Sequence, residues 1–162
     1  MSRVAVVLGS DSDIAVYERV RKVLSALGVS FERRIISAHR TPDMLREYAV
    51  EAESRGVKVF IAAAGMAAAL PGVIASHTGL PVIGVPAVSS SPVCGFDSLL
   101  SILQMPPGVP VACVSINGGE NAALLAAQIL ALADDSLKKR LLSYREEMRR
   151  KVRDKDRKFQ EE

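Results

Sequence analysis

Phe31-Glu32-Arg33-Arg34-Ile35-Ile36-Ser37-Ala38-His39-Arg40-Thr41-Pro42 reads as a β-run that turns into a helix within a single short loop. Thr41 is an expected N-cap and Pro42 an expected first helical residue. Met44, Leu45, Tyr48 and Ala52 then fall along one face of a helix that should run to about residue 54 and close at Gly56. A strand-to-helix loop of this kind belongs to a βαβ unit, and in open α/β sheets ligands gather at the carboxyl ends of the strands. The loop carries His39, one of only two histidines in the chain, beside Arg40. Imidazole moves protons near neutral pH, and guanidinium grips a phosphate or carboxylate with two parallel hydrogen bonds. Neither is needed to make the turn, but on the loop alone a surface pair without a role is equally open.

Working outward, Val4-Ala5-Val6-Val7-Leu8 is continuously apolar, as a strand covered on both faces must be. Gly9-Ser10-Asp11-Ser12-Asp13 follows, rich in helix N-cap types. A helix with Ile14, Tyr17, Val20, Val23, Leu24 and Leu27 inward then ends at Gly28. Downstream, residues 57–64 form a third strand, and Gly65-Met66-Ala67-Ala68-Ala69-Leu70-Pro71-Gly72 leads into a helix ending near His77. Residues 81–86 form a fourth strand, 96–104 a helix, 109–116 a fifth strand, 121–132 an apolar helix and 136–159 a last amphipathic helix. The Ser-rich loop 87–94 is longer than most strand-to-helix loops, and such loops concentrate function. Strands alternating with helices predict one doubly wound α/β domain over residues 1–162, with 1–133 as the sandwich core and 134–162 as a C-terminal helical extension. The helix 121–132 and the segment 98–105 are apolar on nearly all sides, which predicts an oligomer that hides part of them.

Of the 162 residues, 49% are apolar, 24% charged and 4% aromatic, with no Trp, so the core must be Val, Ile, Leu and Ala. Aromatic platforms for single-stranded nucleic acid are lacking. The net charge of +3 is uneven: residues 136–162 hold eleven Lys or Arg against six Asp or Glu. Their mixed signs fit a solvated helix face better than a nucleic-acid site. Two isolated cysteines, an N-terminus that runs straight into a strand and the lack of a bilayer-length apolar run predict a cytoplasmic protein with reduced thiols and no membrane segment. No CxxC motif and no ligand-spaced cluster of His, Cys or carboxylates predicts a metal site.

Ser10 and Asp13 can be read as simple caps. They can also be read as ligand groups, with amides and a hydroxyl cradling a polar group and Asp13 accepting from sugar hydroxyls. Gly9-Ser10-Asp11 is neither a P-loop nor GxGxxG, so a nucleoside triphosphate or dinucleotide is not supported. His77 near a helix end reads as structural. Ser89, Ser90 and Ser91 lack the context of a serine nucleophile. Asp97 is an expected cap, and Asn121 either a cap or a ligand group.

Several stretches together resemble the PurE family, the phosphoribosylaminoimidazole carboxylase catalytic subunits. They are Gly9-Ser10-Asp11-Ser12-Asp13, Ser37-Ala38-His39-Arg40-Thr41-Pro42, Ala64-Gly65-Met66-Ala67-Ala68, Leu70-Pro71-Gly72, Asp97-Ser98-Leu99, Gln104-Met105-Pro106 and the run from Asn121 to Ala127. The Ser-Ala-His-Arg-Thr-Pro form is similar to the class I branch, whose members are mutases moving carboxylate from the exocyclic nitrogen of carboxyaminoimidazole ribonucleotide to ring carbon 4. The resemblance implies a flavodoxin-like three-layer α/β/α sandwich, a homo-octamer with shared active sites, and no metal or organic cofactor. It implies His39 as general acid/base and Ser10, Asp13 and Arg40 as ligands of the ribose phosphate, with Ser37, Gly65 and Met66 also at the substrate. The competing readings are a direct carboxylase using free carbon dioxide, and a non-catalytic flavodoxin-like binding module. The chain departs from the family at Ala69, where His is usual before Leu-Pro-Gly, and at Met66, where Gly is commoner.

Overall fold

A computed structural model describes residues 1–88 and 93–161. The strands β1 (Val4–Leu8), β2 (Phe31–Ile35), β3 (Val59–Ala64), β4 (Val82–Pro86) and β5 (Ala112–Cys113) form one parallel sheet in the order β2-β1-β3-β4-β5. The helices are α1 (Ile14–Ala26), α2 (Pro42–Glu51), α3 (Leu70–His77), α4 (Phe96–Leu103), α5 (Gly119–Ala131) and α6 (Asp135–Gln160). The strand period of two sorts β1 between the layers. Val4, Val6 and Leu8 enter one core with α1, α5 and the start of α6. Ala5 and Val7 enter the other, with α2, α3 and α4. This is the flavodoxin-like three-layer sandwich.

β1, β3 and β4 are buried at every position, in keeping with their unbroken apolar sequences. β2 lies at the edge, and its Arg33 and Arg34 are exposed, as befits a strand that must not recruit another chain. It is tied to the end of α2 by Glu32, which accepts from the Tyr48 hydroxyl at 2.5 Å and from Arg55 at 3.1 Å. Burial and the Glu32 carboxylate push the Tyr48 phenol well above its ordinary value.

Several local expectations need correction. β5 spans two residues rather than eight: Pro110 carries no backbone donor, and beyond Cys113 the chain bonds to β4 only irregularly, through Val114 and Asn117. Ile14 is exposed, and Val16 takes the inward place in the first turn of α1. Met44 is also partly exposed. The cap position of α4 is held by Gly95, at φ +87, so Asp97 sits inside the first turn and accepts the Ser98 amide instead. Asn121 lies within α5, exposed, and caps nothing. α5 is buried largely within the subunit, against α1, α6 and the sheet. α4 does leave an apolar stripe exposed: Phe96, Leu100 and Leu103. Among the described residues no helix is long and apolar enough to cross a membrane.

The approach of α1 to α5 depends on Gly119. A Cβ there would stand 2.5 Å from the Val16 carbonyl oxygen and 3.0 Å from the Arg19 Cβ. Gly119→Ala should therefore lower stability by about 1–3 kcal/mol, the usual cost of overpacking, read as a lower urea midpoint. A different strain sits after β3, where Met66 (φ +55) and Ala68 (φ +38) take left-handed backbone angles. Met66 is 56% exposed, so its side chain contributes little packing. Met66→Gly should raise stability by about 1 kcal/mol in the same measurement, because glycine adopts that backbone without penalty.

Candidate active site

The order β2-β1-β3 sends the loops after β1 and β3 to opposite sides of the sheet, and a crevice opens between them. Three strand ends meet there. After β1, Ser10 caps a short 3-10 turn at residues 11–13, its hydroxyl accepting the Ser12 amide at 3.3 Å. Asp13 returns the bond by accepting the Ser10 amide at 3.1 Å, which completes a capping box. The capping reading of this loop therefore holds in full. It also fixes Asp13 in a place where its side chain is buried, 4% exposed. Loss of water raises the Asp13 carboxyl above its ordinary value, against the hydrogen bonds from Ser10 and Ser12. Asp11, on the solvent side, is held low, first by the Ser10 hydroxyl and then by backbone amides, with the Arg40 charge adding to the effect.

After β2, Ser37 organises the loop. Its hydroxyl accepts from the Arg40 amide and the Arg40 Nε, both at 3.3 Å, and folds the arginine stem back over the turn. The Ser37 carbonyl accepts from the amide and the hydroxyl of Thr41, each at 2.9 Å. Thr41 thus holds the N-cap position without capping, since its side chain serves the preceding turn. His39 is exposed and makes no side-chain hydrogen bond among the described residues. After β3, Gly65, Met66 and the alanines that follow bring backbone and methyl groups to the same place.

All seven residues singled out in the sequence line one cavity of about 640 Å³: Ser10, Asp13, Ser37, His39, Arg40, Gly65 and Met66. Its size is that of a small-molecule site. The lining also includes Ala64, Ala67, Ala68 and Ala69. One side thus presents an imidazole and a guanidinium, one is a buried carboxylate, and the floor is small and apolar. That combination suits a ligand with an anionic end, hydroxyls and a flat, weakly polar body.

Ala69 holds the N-cap position of α3 and faces this cavity, so the family's usual histidine would have stood in its wall. His77 lies at the other end of α3, about 12 Å along the axis, and does not reach the site. Ser89, Ser90 and Ser91 lie outside the described residues. Sequence reasoning did not single out Asp11, which feels the Arg40 charge across the loop gap. Its only signal was its place between two candidate residues. Among the described residues, no group of three or more His, Cys, Asp or Glu side chains is gathered to hold a metal.

Residues 3–151 match the family described as AIR carboxylase. The chain is 54% identical over 150 residues to the N5-carboxyaminoimidazole ribonucleotide mutase of Pyrococcus abyssi, covering 93% of this chain and 86% of that protein. It is 51% identical over 151 residues to the protein of the same name from Bacillus subtilis, covering 92% and 93%. The crystal structure of Treponema denticola PurE superposes with a TM-score of 0.87 at 32% identity, covering 98% of each chain. The chain belongs to the AIR carboxylase family.

Proposed function

We propose that this chain is an N5-carboxyaminoimidazole ribonucleotide mutase of purine biosynthesis. The observation that carries the reading is the convergence of three separate strand-end loops on one cavity holding an imidazole, a guanidinium and a buried carboxylate. Arg40 binds the substrate phosphate. Asp13 and Ser10 hold the ribose end, and Ser37 keeps Arg40 turned toward it. Gly65, Met66 and the alanines take the flat imidazole ring. The exocyclic nitrogen–carbon bond breaks to release carbon dioxide, and ring carbon 4 recaptures it within the pocket. Net, one proton leaves carbon 4 and one is gained by the nitrogen, and His39 carries it. The small apolar groups that the loop after β3 brings to the cavity help keep the carbon dioxide from water. We propose further that the enzyme works as a cytoplasmic homo-octamer, without metal or organic cofactor, and that residues 134–162 extend a single domain. The exposed stripe on α4 supports self-association.

The experiment is a turnover assay of the wild-type protein on carboxyaminoimidazole ribonucleotide, and separately on aminoimidazole ribonucleotide with carbon dioxide. Rapid conversion of the first alone supports the mutase. Preference for the second makes it a direct carboxylase, the name borne by its Vigna aconitifolia relative. No turnover of either, with ligand still bound, leaves a binding module, and recovery of turnover in Ala69→His then assigns the loss to Ala69. His39→Asn should lower kcat by roughly 10²–10⁴ with KM nearly unchanged, the usual size of a general acid/base contribution. Arg40→Ala should act mainly on KM. Normal turnover by His39→Asn would remove the imidazole from the chemistry.

Asp13 gives a second, pH-dependent check. Its carboxyl is raised in the folded protein, so ionising it opposes folding. The penalty is absent in acid and grows as pH rises past the ordinary carboxylate range. Asp13→Asn should therefore be at least as stable as wild type at pH 7, with any advantage shrinking toward pH 4. Its KM should rise about tenfold for the lost charge-assisted bond. Urea midpoints at several pH values, beside steady-state kinetics, separate the two effects.

A further inference from the structure

The connection between β4 and α4 is held at both ends by side chains to which the proposed chemistry gives no task. At its start, the Asn117 side-chain carbonyl accepts the Val88 amide at 3.0 Å, while the Asn117 amide donates to the Pro86 carbonyl at 2.8 Å. At its end, the wholly buried Ser98 hydroxyl lies 2.9 Å from the Gly95 carbonyl and 3.1 Å from that of Ala87, so one side chain spans both ends. The Ala87 amide in turn donates to the Ala64 carbonyl at 2.9 Å, at the edge of the main cavity.

Asn117 stands at φ +56, in the left-handed region. Glycine would adopt that backbone more easily, and asparagine is among the few other residues that tolerate it. The backbone alone does not call for a side chain, so the carboxamide has another use. Ala87, Val88 and Asn117 face Ser12, Asp13 and Val16 across a small cavity of about 100 Å³. Asp13 therefore has the main cavity on one side and the Ala87–Val88 backbone on the other.

We propose that Asn117 is a positioning residue: by holding Val88 it sets the back wall behind Asp13, and so the placement of that carboxylate toward the ribose end of the substrate. The inference rests on the role given above to Asp13.

The test compares Asn117→Gly, which keeps the left-handed backbone and removes the acceptor, with Asn117→Asp, which keeps an acceptor. Wild type and both variants are assayed on carboxyaminoimidazole ribonucleotide. Their urea midpoints are measured, and amide hydrogen exchange is followed in peptides covering residues 9–13 and 86–88. Asn117→Gly should keep its urea midpoint yet lose about tenfold or more in kcat/KM, mostly through KM, while Asn117→Asp stays within about threefold of wild type. The Ser10 amide, bonded to Asp13, reports the carboxylate's placement without any turnover. Exchange should quicken in both segments of the glycine variant. Glycine-variant kinetics equal to wild type, or an aspartate variant as impaired as the glycine one, would overturn the proposal. So would faster exchange confined to residues 86–88. If the wild-type protein shows no turnover, the functional reading fails by itself, and the exchange of residues 9–13 still decides for or against Asn117.

Discussion

A parallel sheet buried on both faces is the constraint from which the rest of the molecule follows. β1 and β3 have no polar side chain and no exposed position, so helices must cover both sides. Parallel neighbours cannot be joined by tight hairpins, so each strand is followed by a crossover, and every strand ends at the same edge. With β1 lying between β2 and β3, the chain winds one way and then the other. The crevice is a by-product of that reversal, and Ser10, Asp13, Ser37, His39 and Arg40 line it.

Structure and chemistry share groups at this edge. The capping box of Ser10 and Asp13 starts a helix, yet it also holds a carboxylate out of water at the cavity wall. Ser37 closes a turn while steering Arg40. Met66 and Ala68 hold backbone angles that side chains disfavour, on the loop that lines the cavity floor. Conformational strain of this kind persists where the surrounding structure over-determines it, and it collects at functional sites. The buried core beneath supplies the stability against which these local penalties are set.

Legibility in the sequence followed the range of the forces involved. β1, β3 and β4 were plain because burial on both faces writes an unbroken apolar run. The helix start at Pro42 was plain because proline favours the first turn. The loop after β2 was legible as a candidate site, since a histidine beside an arginine serves no obvious turn, whereas Ser10 and Asp13 read equally well as the caps they prove to be. Asp97 was misplaced as a cap because Gly95, with its left-handed backbone, ended the preceding turn first. β5 was overextended because its apolar residues packed without joining the ladder. The apolar surplus on α5 was absorbed by α1 and α6, whose nearness no local pattern announces.

By itself, then, the chain's sequence determined the succession of strands and helices, the residue types at each strand end and the family resemblance they carry. These depend on periodicity and backbone preference, which act over a few neighbouring residues. Only the tertiary structure decided that β2 and β3 flank β1, that loops some 28 and 56 residues beyond the first meet it at one cavity, that Ala69 faces that cavity while His77 does not, and that the Asn117 side chain accepts the Val88 amide. Strand order and side-chain convergence come from packing between distant segments, a sum over the whole core that no short stretch of sequence contains.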